Sequence, residues 1–213
     1  MMGAMATSGQ TRERLLSAAR EVFSECGFQG ATVREICKRA EANVAAVNYH
    51  FGSKDDLFAE ALNFAPLKAL QQANISVHGC PRIRLKLFIG DFLSMLLDEQ
   101  HASSQCQIMA RELADPTPAL DKIVREAIAP LHAYLGDLVC EIAEKTISDA
   151  ELHRYVHSII GQCLYYRHSQ PVLQRLHTRL RYTPKEIKSI AQHIAEFSLA
   201  GIERLAGSNQ KKH

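Results

Sequence analysis

The sequence predicts an all-α protein in which a small N-terminal helix-turn-helix domain is joined to a larger C-terminal helical bundle. Apolar residues recur at spacings of three and four along nearly the whole chain, which is the period of helices with one buried face. Helix-start signals recur as well, with capping boxes that begin at Thr32, Ser148 and Thr183. No stretch of useful length alternates between apolar and polar residues, so no strand is predicted.

The first helix is predicted from apolar residues that share one face, namely Leu15, Ala18, Ala19, Val22 and Phe23. Gly27 is expected to end it, because glycine readily adopts the left-handed conformation found at helix C-termini. A second helix follows Thr32, a third covers about 44–50 and a fourth starts near Ser53, with a break or kink expected at Pro66. Further helices are predicted at 81–98, 103–114, 118–145, 149–168 and 184–206.

These elements group into four segments. We expect a disordered stretch at 1–10, a helix-turn-helix domain at 11–56, a helical effector-binding and dimerisation domain at 57–207, and a disordered tail at 208–213. The first stretch lacks both a basic start and an apolar core, so no signal peptide is predicted. The longest apolar runs are too short to span a bilayer. The six cysteines show no C-x-x-C spacing, which fits reduced, mostly buried thiols in a cytoplasmic protein.

Bulk composition says little about the partners of the protein. The 213 residues are 46% hydrophobic and 23% charged with a net charge of +2, which is typical of an ordinary globular protein. Residues 1–64 hold seven Lys or Arg against eight Asp or Glu, so the N-terminal part has a net charge of −1. The basic domain that usually indicates nucleic-acid binding is absent. Any DNA binding must therefore depend on a few well-placed cations.

Residues 32–51 provide the parts of a DNA-binding helix-turn-helix. These parts are a support helix, a tight turn at Glu41-Ala42-Asn43, and a second helix that could enter the major groove. Asn43 is a favourable cap for the second helix. An ordinary helix pair inside an all-α core is the alternative interpretation of the same pattern. The residues expected to pack the two helices together are Ile36, Ala40 and Val47.

Eight residues of this region are predicted to contact DNA. Asn48 suits a bidentate pair with adenine, and Val44 and Ala45 are small apolar groups for a thymine methyl. Arg34 could reach either a phosphate or a guanine. The side chains suited to phosphate oxygens, which fix register without reading sequence, are Thr32, Tyr49, His50 and Lys54.

The stretch TRERLLSAAREVFSECGFQGATVREICKRAEANVAAVNYHFGSKDDLFAEAL, residues 11–62, resembles the N-terminal domain of the TetR family of bacterial transcriptional regulators. Its most specific parts are ATVREICKRA, Tyr49-His50-Phe51 and GSKDDL. The family usually has glycine where Glu41 stands, so this chain keeps the Asn43 cap but has a less ideal turn. Further along, ARELADPTPALDKIV, GQCLYYRHSQPVLQRL and YTPKEIKSIAQHIAEFSLAGI resemble the CerR-type (YbiH-type) effector domain of one TetR subgroup.

The resemblance implies a homodimeric repressor that binds a pseudo-palindromic operator in double-stranded DNA and is released by a small-molecule effector. It implies neither an enzyme nor a membrane protein, and no cofactor is predicted. The C-terminal helices would bind the effector and, through the fourth helix, move the two reading heads apart. The last two long helices, 149–168 and 184–206, would form a four-helix interface between two copies.

Six residues are candidates for the effector site, namely Phe92, Met95, Met109, Arg111, Gln162 and Tyr166. The apolar members could line a pocket, or they could belong to an ordinary helical core. Arg111 and Glu112 come just before the Asp115-Pro116-Thr117-Pro118 break, where they could bind a ligand or cap the helix ends. Gln162 and Tyr166 fit either a pocket or a dimer surface.

No metal site is predicted, although His153 and His157 have the i, i+4 spacing that can hold a metal on a helix. Cys163 is too far along the chain to complete a local site, so we interpret the pair as surface or interface histidines. No G-x-S-x-G, Gly-rich phosphate loop or paired-carboxylate arrangement points to catalysis. Two alternatives stay open: a redox or metal sensor with the same DNA-binding head, and an enzyme or protein-interaction bundle.

Overall fold

The computed structural model describes residues 8–62, 65–75, 78–97, 103–144 and 146–208. These ranges contain no strand, and the predicted all-α fold is confirmed. The helices are, in chain order, α1 Ser8–Gly30, α2 Val33–Arg39, α3 Val44–Phe51, α4 Lys54–Leu62, α5 Ala65–Ile75, α6 Pro81–Leu97, α7 Ser103–Ala114, α8 Pro118–Ile123, α9 Ala129–Ala143, α10 Asp149–His168, α11 Gln170–Leu176 and α12 Pro184–Ser208. A π-helical turn, Val124–Ile128, joins α8 to α9.

The helices differ from the prediction at a few places. Residues 8–10 begin α1, although they were expected to be disordered, and α5 and α11 were not predicted. The predicted helix 118–145 is interrupted by the π-helical turn, because Pro130 has no N–H and its ring clashes with the carbonyl four residues earlier. Pro66 is the second residue of α5, where its missing N–H costs no helical bond. Residues 1–7, 63–64, 76–77, 98–102, 145 and 209–213 lie outside the described residues, and these include the predicted helix ends at 98 and 145.

Contacts divide the chain into two compact units, one made of residues 1–65 and 99–126, the other of 66–98 and 127–213. In the first unit, α7 packs on α1 and α4, and α8 packs on α4. By contact, α4, α7 and α8 therefore group with the helix-turn-helix, whereas the sequence expectation assigned everything after residue 56 to the effector domain.

The first unit is organised around α1, which contacts α2, α3, α4 and α7. Phe23 is fully buried, and its ring meets that of Phe58 edge-on at 4.7 Å between centroids. The ring of Phe28 lies 5.0 Å from Phe58. α1 kinks at Gly27, where φ is 68° and ψ is −177°, a combination open mainly to glycine. The helical conformation is interrupted at the predicted residue, but α1 does not end there and continues to Gly30. The predicted buried face is confirmed at Leu15, Ala18, Ala19, Val22 and Phe23.

The second unit is a bundle in which α6, α9, α10 and α12 all contact one another. Its core is rich in leucine, isoleucine and phenylalanine, with Phe88, Ile89 and Leu135 fully buried. The predicted capping box at the start of α10 is complete. Ser148 Oγ accepts from the Glu151 N–H at 3.3 Å, and the Glu151 carboxylate accepts from the Ser148 N–H at 3.2 Å.

The turn between α2 and α3 contains a strained residue. Glu41 has a φ of 48°, which lies in the left-handed region that favours glycine. The Ala42 N–H donates to the Cys37 carbonyl at 2.9 Å across this turn, so the geometry is fixed by a backbone hydrogen bond. Position 41 is usually glycine in the TetR family. Here Glu41 adopts the conformation that glycine would adopt, so the turn is kept at the cost of backbone strain.

We expect Glu41→Gly to raise the free energy of unfolding by about 1 kcal/mol, because glycine lacks the Cβ that makes this conformation unfavourable. Urea unfolding of the full-length protein measures the change. Glu41→Ala is the matched control, since it removes the same carboxylate and keeps the Cβ. An equal gain from both variants would assign the effect to the lost charge and contradict the strain argument.

Candidate nucleic-acid interface

Side-chain caps hold both helices of the helix-turn-helix. Thr32 Oγ1 accepts from the Glu35 N–H at 3.2 Å, and Asn43 Oδ1 accepts from the Ala45 N–H at 2.9 Å. The return bond predicted from Glu35 to the Thr32 N–H is absent from the described contacts. The Glu35 carboxylate instead accepts a hydrogen bond from Arg39 Nε at 3.0 Å, because the guanidinium one turn later is a stronger, charged donor. The start of α2 is thus capped from one side only.

Helix α3 is the second helix of the helix-turn-helix, and it has one face buried in the first unit and one face exposed. The residues predicted to pack α2 against α3 are confirmed as buried, with Ile36 and Val47 fully so and Ala40 nearly so. On the opposite face Asn48 is exposed, and Tyr49 has 80% of its surface accessible. A tyrosine this exposed buries little of its surface within the chain, so its ring and hydroxyl are accessible to a partner.

The remaining predicted DNA contacts lie around this exposed face. Val44, Ala45 and Arg34 are exposed, and Thr32 is exposed at the start of α2. His50 is half-buried, with its ring 4.9 Å from that of Tyr49. Lys54 is also half-buried, and its ammonium lies 4.2 Å from the centre of the Phe28 ring. Lys54 therefore contributes a cation–π contact within the first unit, which its sequence position alone did not reveal.

Two of the arginines in the first unit are held by carboxylates. Arg12 donates to Glu60. Arg39 makes two hydrogen bonds to Glu25, at 2.8 and 2.7 Å, and one to Glu35. The bond from Arg39 lowers the pKa of Glu25, and the two carboxylates raise the pKa of Arg39. These arginines are thus neutralised within the protein and have little charge left for a phosphate.

Arg34 and Lys38 differ from those arginines, because neither has a carboxylate partner among the described residues. Both are exposed, and they lie four residues apart on α2, so they project from the same side of that helix. Sequence analysis selected Arg34 but missed Lys38. The i, i+4 spacing between the two cations was the signal that could have identified it.

The six predicted effector residues fall into both units. Phe92 is buried in the second unit, where Met95 and Tyr166 pack against the same core. Burial raises the pKa of Tyr166. Gln162 donates to Ser198 Oγ at 3.3 Å and to the Ser158 carbonyl. Met109 and Arg111 lie on α7, in the first unit. Neither unit by itself contains all six.

The charged pair at the end of α7 makes hydrogen bonds to helix ends. Glu112 is buried, and its carboxylate accepts from both the N–H and the hydroxyl of Thr117 at 2.8 Å, which caps the break before α8. Arg111 donates to the Glu25 carbonyl at 2.8 Å, just before the kink at Gly27. A cleft of about 240 Å³ lies beside it, lined by Phe28, Ile108, Arg111 and other residues of the first unit. Of the two interpretations left open for this pair, capping accounts for the contacts observed.

Comparison with known families places both parts of the chain. The family model described as "Bacterial regulatory proteins, tetR family" matches residues 15–61. The model described as "HTH-type transcriptional dual regulator CecR, C-terminal domain" matches residues 81–202, which is more than half of the chain. This chain belongs to the TetR family. Its C-terminal domain is of the CecR type, which corrects the subgroup label CerR-type (YbiH-type). TetR-family proteins are DNA-binding transcriptional regulators rather than enzymes.

The TetR-family protein has relatives over most of its length. The HTH-type transcriptional dual regulator CecR of Shigella flexneri is 28% identical over 170 residues, which cover 74% of this chain and 76% of that protein. A transcriptional regulator from Rhodococcus sp. Rha1 has a similar structure, with a TM-score of 0.60 and 26% identity over 90% of this chain and 97% of that one. FadR of Bacillus subtilis, solved with stearoyl-CoA, shares the fold at a TM-score of 0.64 and 15% identity, covering 89% and 98%.

None of the helices in the described ranges is both long and apolar enough to cross a bilayer.

We expect two substitutions on the exposed face of α3 to act differently in this TetR-family protein. Asn48→Ala should relax the preference at one base position and cost about 1–3 kcal/mol on the preferred site. Tyr49→Phe, which removes only the hydroxyl, should weaken binding to all sequences to a similar degree, because phosphate contacts carry no sequence information. Titrations of DNA duplexes selected from a random pool by the wild-type protein measure both effects.

Ser17→Ala serves as the control for these titrations, because Ser17 is an exposed residue on α1 outside the predicted interface. It should bind like the wild type. If neither Asn48→Ala nor Tyr49→Phe changes the titration curve, the assigned face of α3 is wrong.

Proposed function

We propose that this protein is a homodimeric repressor that binds a pseudo-palindromic operator in the cytoplasm and is released by a small-molecule effector. The observation that carries the proposal is the exposed face of α3, with Asn48 and Tyr49 accessible on a helix whose other face is fully buried. A helix held in this way can enter the major groove without rearrangement of the domain behind it.

The proposed division of roles follows from the chemistry of each side chain. Asn48 reads a base, while the two cations of α2, Arg34 and Lys38, bind phosphates beside the groove. Tyr49 and Thr32 add neutral hydrogen bonds to phosphate oxygens. Since few cations are available in one copy, two copies on one operator are needed to reach the affinity of a specific regulator.

Two helices of the second unit carry the proposed dimer interface. α10 and α12 contact each other, and they expose Tyr165 and Phe197, with 53% and 65% of their surfaces accessible. A Cβ added at Gly161 of α10 or at Gly201 of α12 would meet no atom within 4 Å. Glycine inside a helix costs about 0.5–1 kcal/mol relative to alanine, so packing within one chain gives no reason for either glycine. Close approach of a second copy's helices, with the aromatic side chains as anchors, would give one.

The proposed effector is a small molecule with an apolar portion. Support comes from the apolar character of Phe92 and Met95 in the second unit, and from FadR of Bacillus subtilis, whose structure was solved with stearoyl-CoA. We propose that its binding is communicated to the reading head by α7, which packs on α1 and hydrogen-bonds to it through Arg111. The coupling free energy required is typically about 1–3 kcal/mol.

A thiol-based trigger is less well supported by the surroundings of the cysteines. Burial raises the pKa of Cys163 to about 12, and it also raises the pKa of Cys37 and of Cys140. A raised pKa keeps a thiol protonated at neutral pH, and the thiolate is the form that oxidants attack. The two buried thiols, Cys37 and Cys163, therefore suit packing better than redox sensing. The expectation of mostly buried thiols is wrong for the described residues, because Cys26, Cys80 and Cys140 are exposed.

A gel-shift titration on the DNA upstream of the protein's own gene tests the proposed function. We expect a saturable shift at low salt, loss of the shift with Tyr49→Phe and Asn48→Ala combined, and protection of two half-sites about 34–36 Å apart or a multiple of that distance. Transcription of the bound promoter in a purified system should fall when the protein is added. No shift would contradict the proposal, and a rise in transcription would show an activator instead of a repressor.

We expect Phe197→Asp to convert the dimer to monomer, because a carboxylate in the centre of an apolar interface loses its hydration without gaining a partner. Sedimentation equilibrium at micromolar concentration gives the mass. Ile83→Asp is the matched control, since Ile83 is similarly exposed, at 57%, on α6. A wild-type protein that sediments as a monomer, or equal dissociation by both variants, would refute the assigned interface.

A further inference from the structure

Three histidines of the second unit lie together on two neighbouring helices. His153 and His157 are one turn apart on α10, and His132 is on α9, which packs against α10. The centre of the His132 ring is 5.6 Å from that of His153 and 5.4 Å from that of His157. The rings of His153 and His157 are 6.1 Å apart. Sequence spacing showed two of these residues, and the fold adds the third.

We infer that His132, His153 and His157 form a binding site for one divalent transition-metal ion of the zinc class. Imidazole nitrogen is a preferred ligand for zinc, with a metal–nitrogen distance of about 2.0–2.1 Å. Three imidazoles arranged tetrahedrally around such an ion have ring centres about 5 Å apart, by simple geometry from that distance. The separations in this cluster exceed that value by only about 1 Å or less.

Ring orientation is the one feature that must change when the ion binds. As the side chains are placed, no group of three or more His, Cys, Asp or Glu in the described ranges could hold a metal ion. Rotation about χ2 redirects the two nitrogens of a histidine while leaving its ring centre nearly in place, and this torsion is broad and soft. The distances between ring centres, which depend on the backbone and χ1, therefore indicate whether three rings can reach one ion.

The surroundings of the cluster are those of a surface site in a single copy of the chain. There His153 and His157 are exposed and His132 is half-buried, while His157 also lies one turn before Gly161 of the proposed dimer interface. Burial, together with the neighbouring His157 and His153, lowers the pKa of His132. Neutral imidazole is the form that binds metal. Three ligands leave a fourth position of a tetrahedral ion for water.

Full-length protein without an affinity tag, freed of metal with a chelator, provides the test. Cobalt titration followed by visible absorption should show one ion per chain with the bands of tetrahedral nitrogen coordination, and zinc should displace it. His132→Ala and His153→Ala should each weaken zinc affinity by at least about tenfold, because each removes one of three ligands. His177→Ala, an exposed histidine outside the cluster, should bind like the wild type.

Each result decides the inference. Absence of saturable binding, or binding in which His132→Ala equals the wild type, overturns the three-ligand site, the latter because the helical pair would then act alone. Should His132→Ala fail to fold by circular dichroism, His132→Gln carries the same test, because it removes the ring and keeps a polar side chain of similar size at the same position. Zinc should also raise the thermal midpoint of the wild type, and not that of His153→Ala, because the ion stabilises the folded state. None of these measurements uses DNA. The metal site and the proposed DNA-binding function are therefore tested separately, and either can fail without the other.

Discussion

The buried face of α1 is the constraint on which the first unit depends. Four other helices of that unit pack on it, among them the support helix α2 and the reading helix α3. Phe23 is fully buried at the centre of this packing and meets Phe58 of α4 edge-on. An aromatic pair of this kind is worth about 0.5–1.5 kcal/mol beyond the area it buries. The orientation of α3 is thus set by buried side chains and not by those on its exposed face.

Electrostatics explain why so little of the charge in the first unit is available for a partner. Residues 1–64 carry one more acidic than basic residue, and the described carboxylates pair with some of the cations and not with others. Arg39 of α2 pairs with Glu25 of α1 and with Glu35 of its own helix. Arg12 of α1 pairs with Glu60 of α4, so two of these three pairs connect different helices of the first unit. Exposed ion pairs contribute little to stability, because water and salt screen the two charges. The ion pairs matter more for which cations stay available to a partner. Arg34 and Lys38 on α2 have no described carboxylate partner, in contrast to Arg12 and Arg39.

Features that depend on residues close in sequence, such as helix caps, could be predicted from the sequence. Contacts between residues distant in sequence could not. Thr32, Asn43 and Ser148 were identified as caps because a cap depends only on residues two or three positions away. The π-helical turn before Pro130 was missed because the helix pattern continues through it, although the proline itself marked the position. His132 was not connected with His153 and His157, since only the packing of α9 on α10 brings them together. The cation–π contact of Lys54 with Phe28 was missed for the same reason.

The contact between α7 and α1 consists of one hydrogen bond and of side-chain packing, and the two can be compared with the coupling free energy that effector release would need. The hydrogen bond from Arg111 to the Glu25 carbonyl is exposed, so water competes for both groups and its net value lies near the lower end of the usual 0.5–1.5 kcal/mol, at roughly 0.5 kcal/mol. A regulator needs a coupling free energy of about 1–3 kcal/mol between its effector and its DNA site. The bond alone is too weak to supply this. For the proposed release by an effector, the packing of α7 on α1 would therefore have to change as well. Ile108 and Glu112 of α7 are both buried, and α1 is kinked at Gly27.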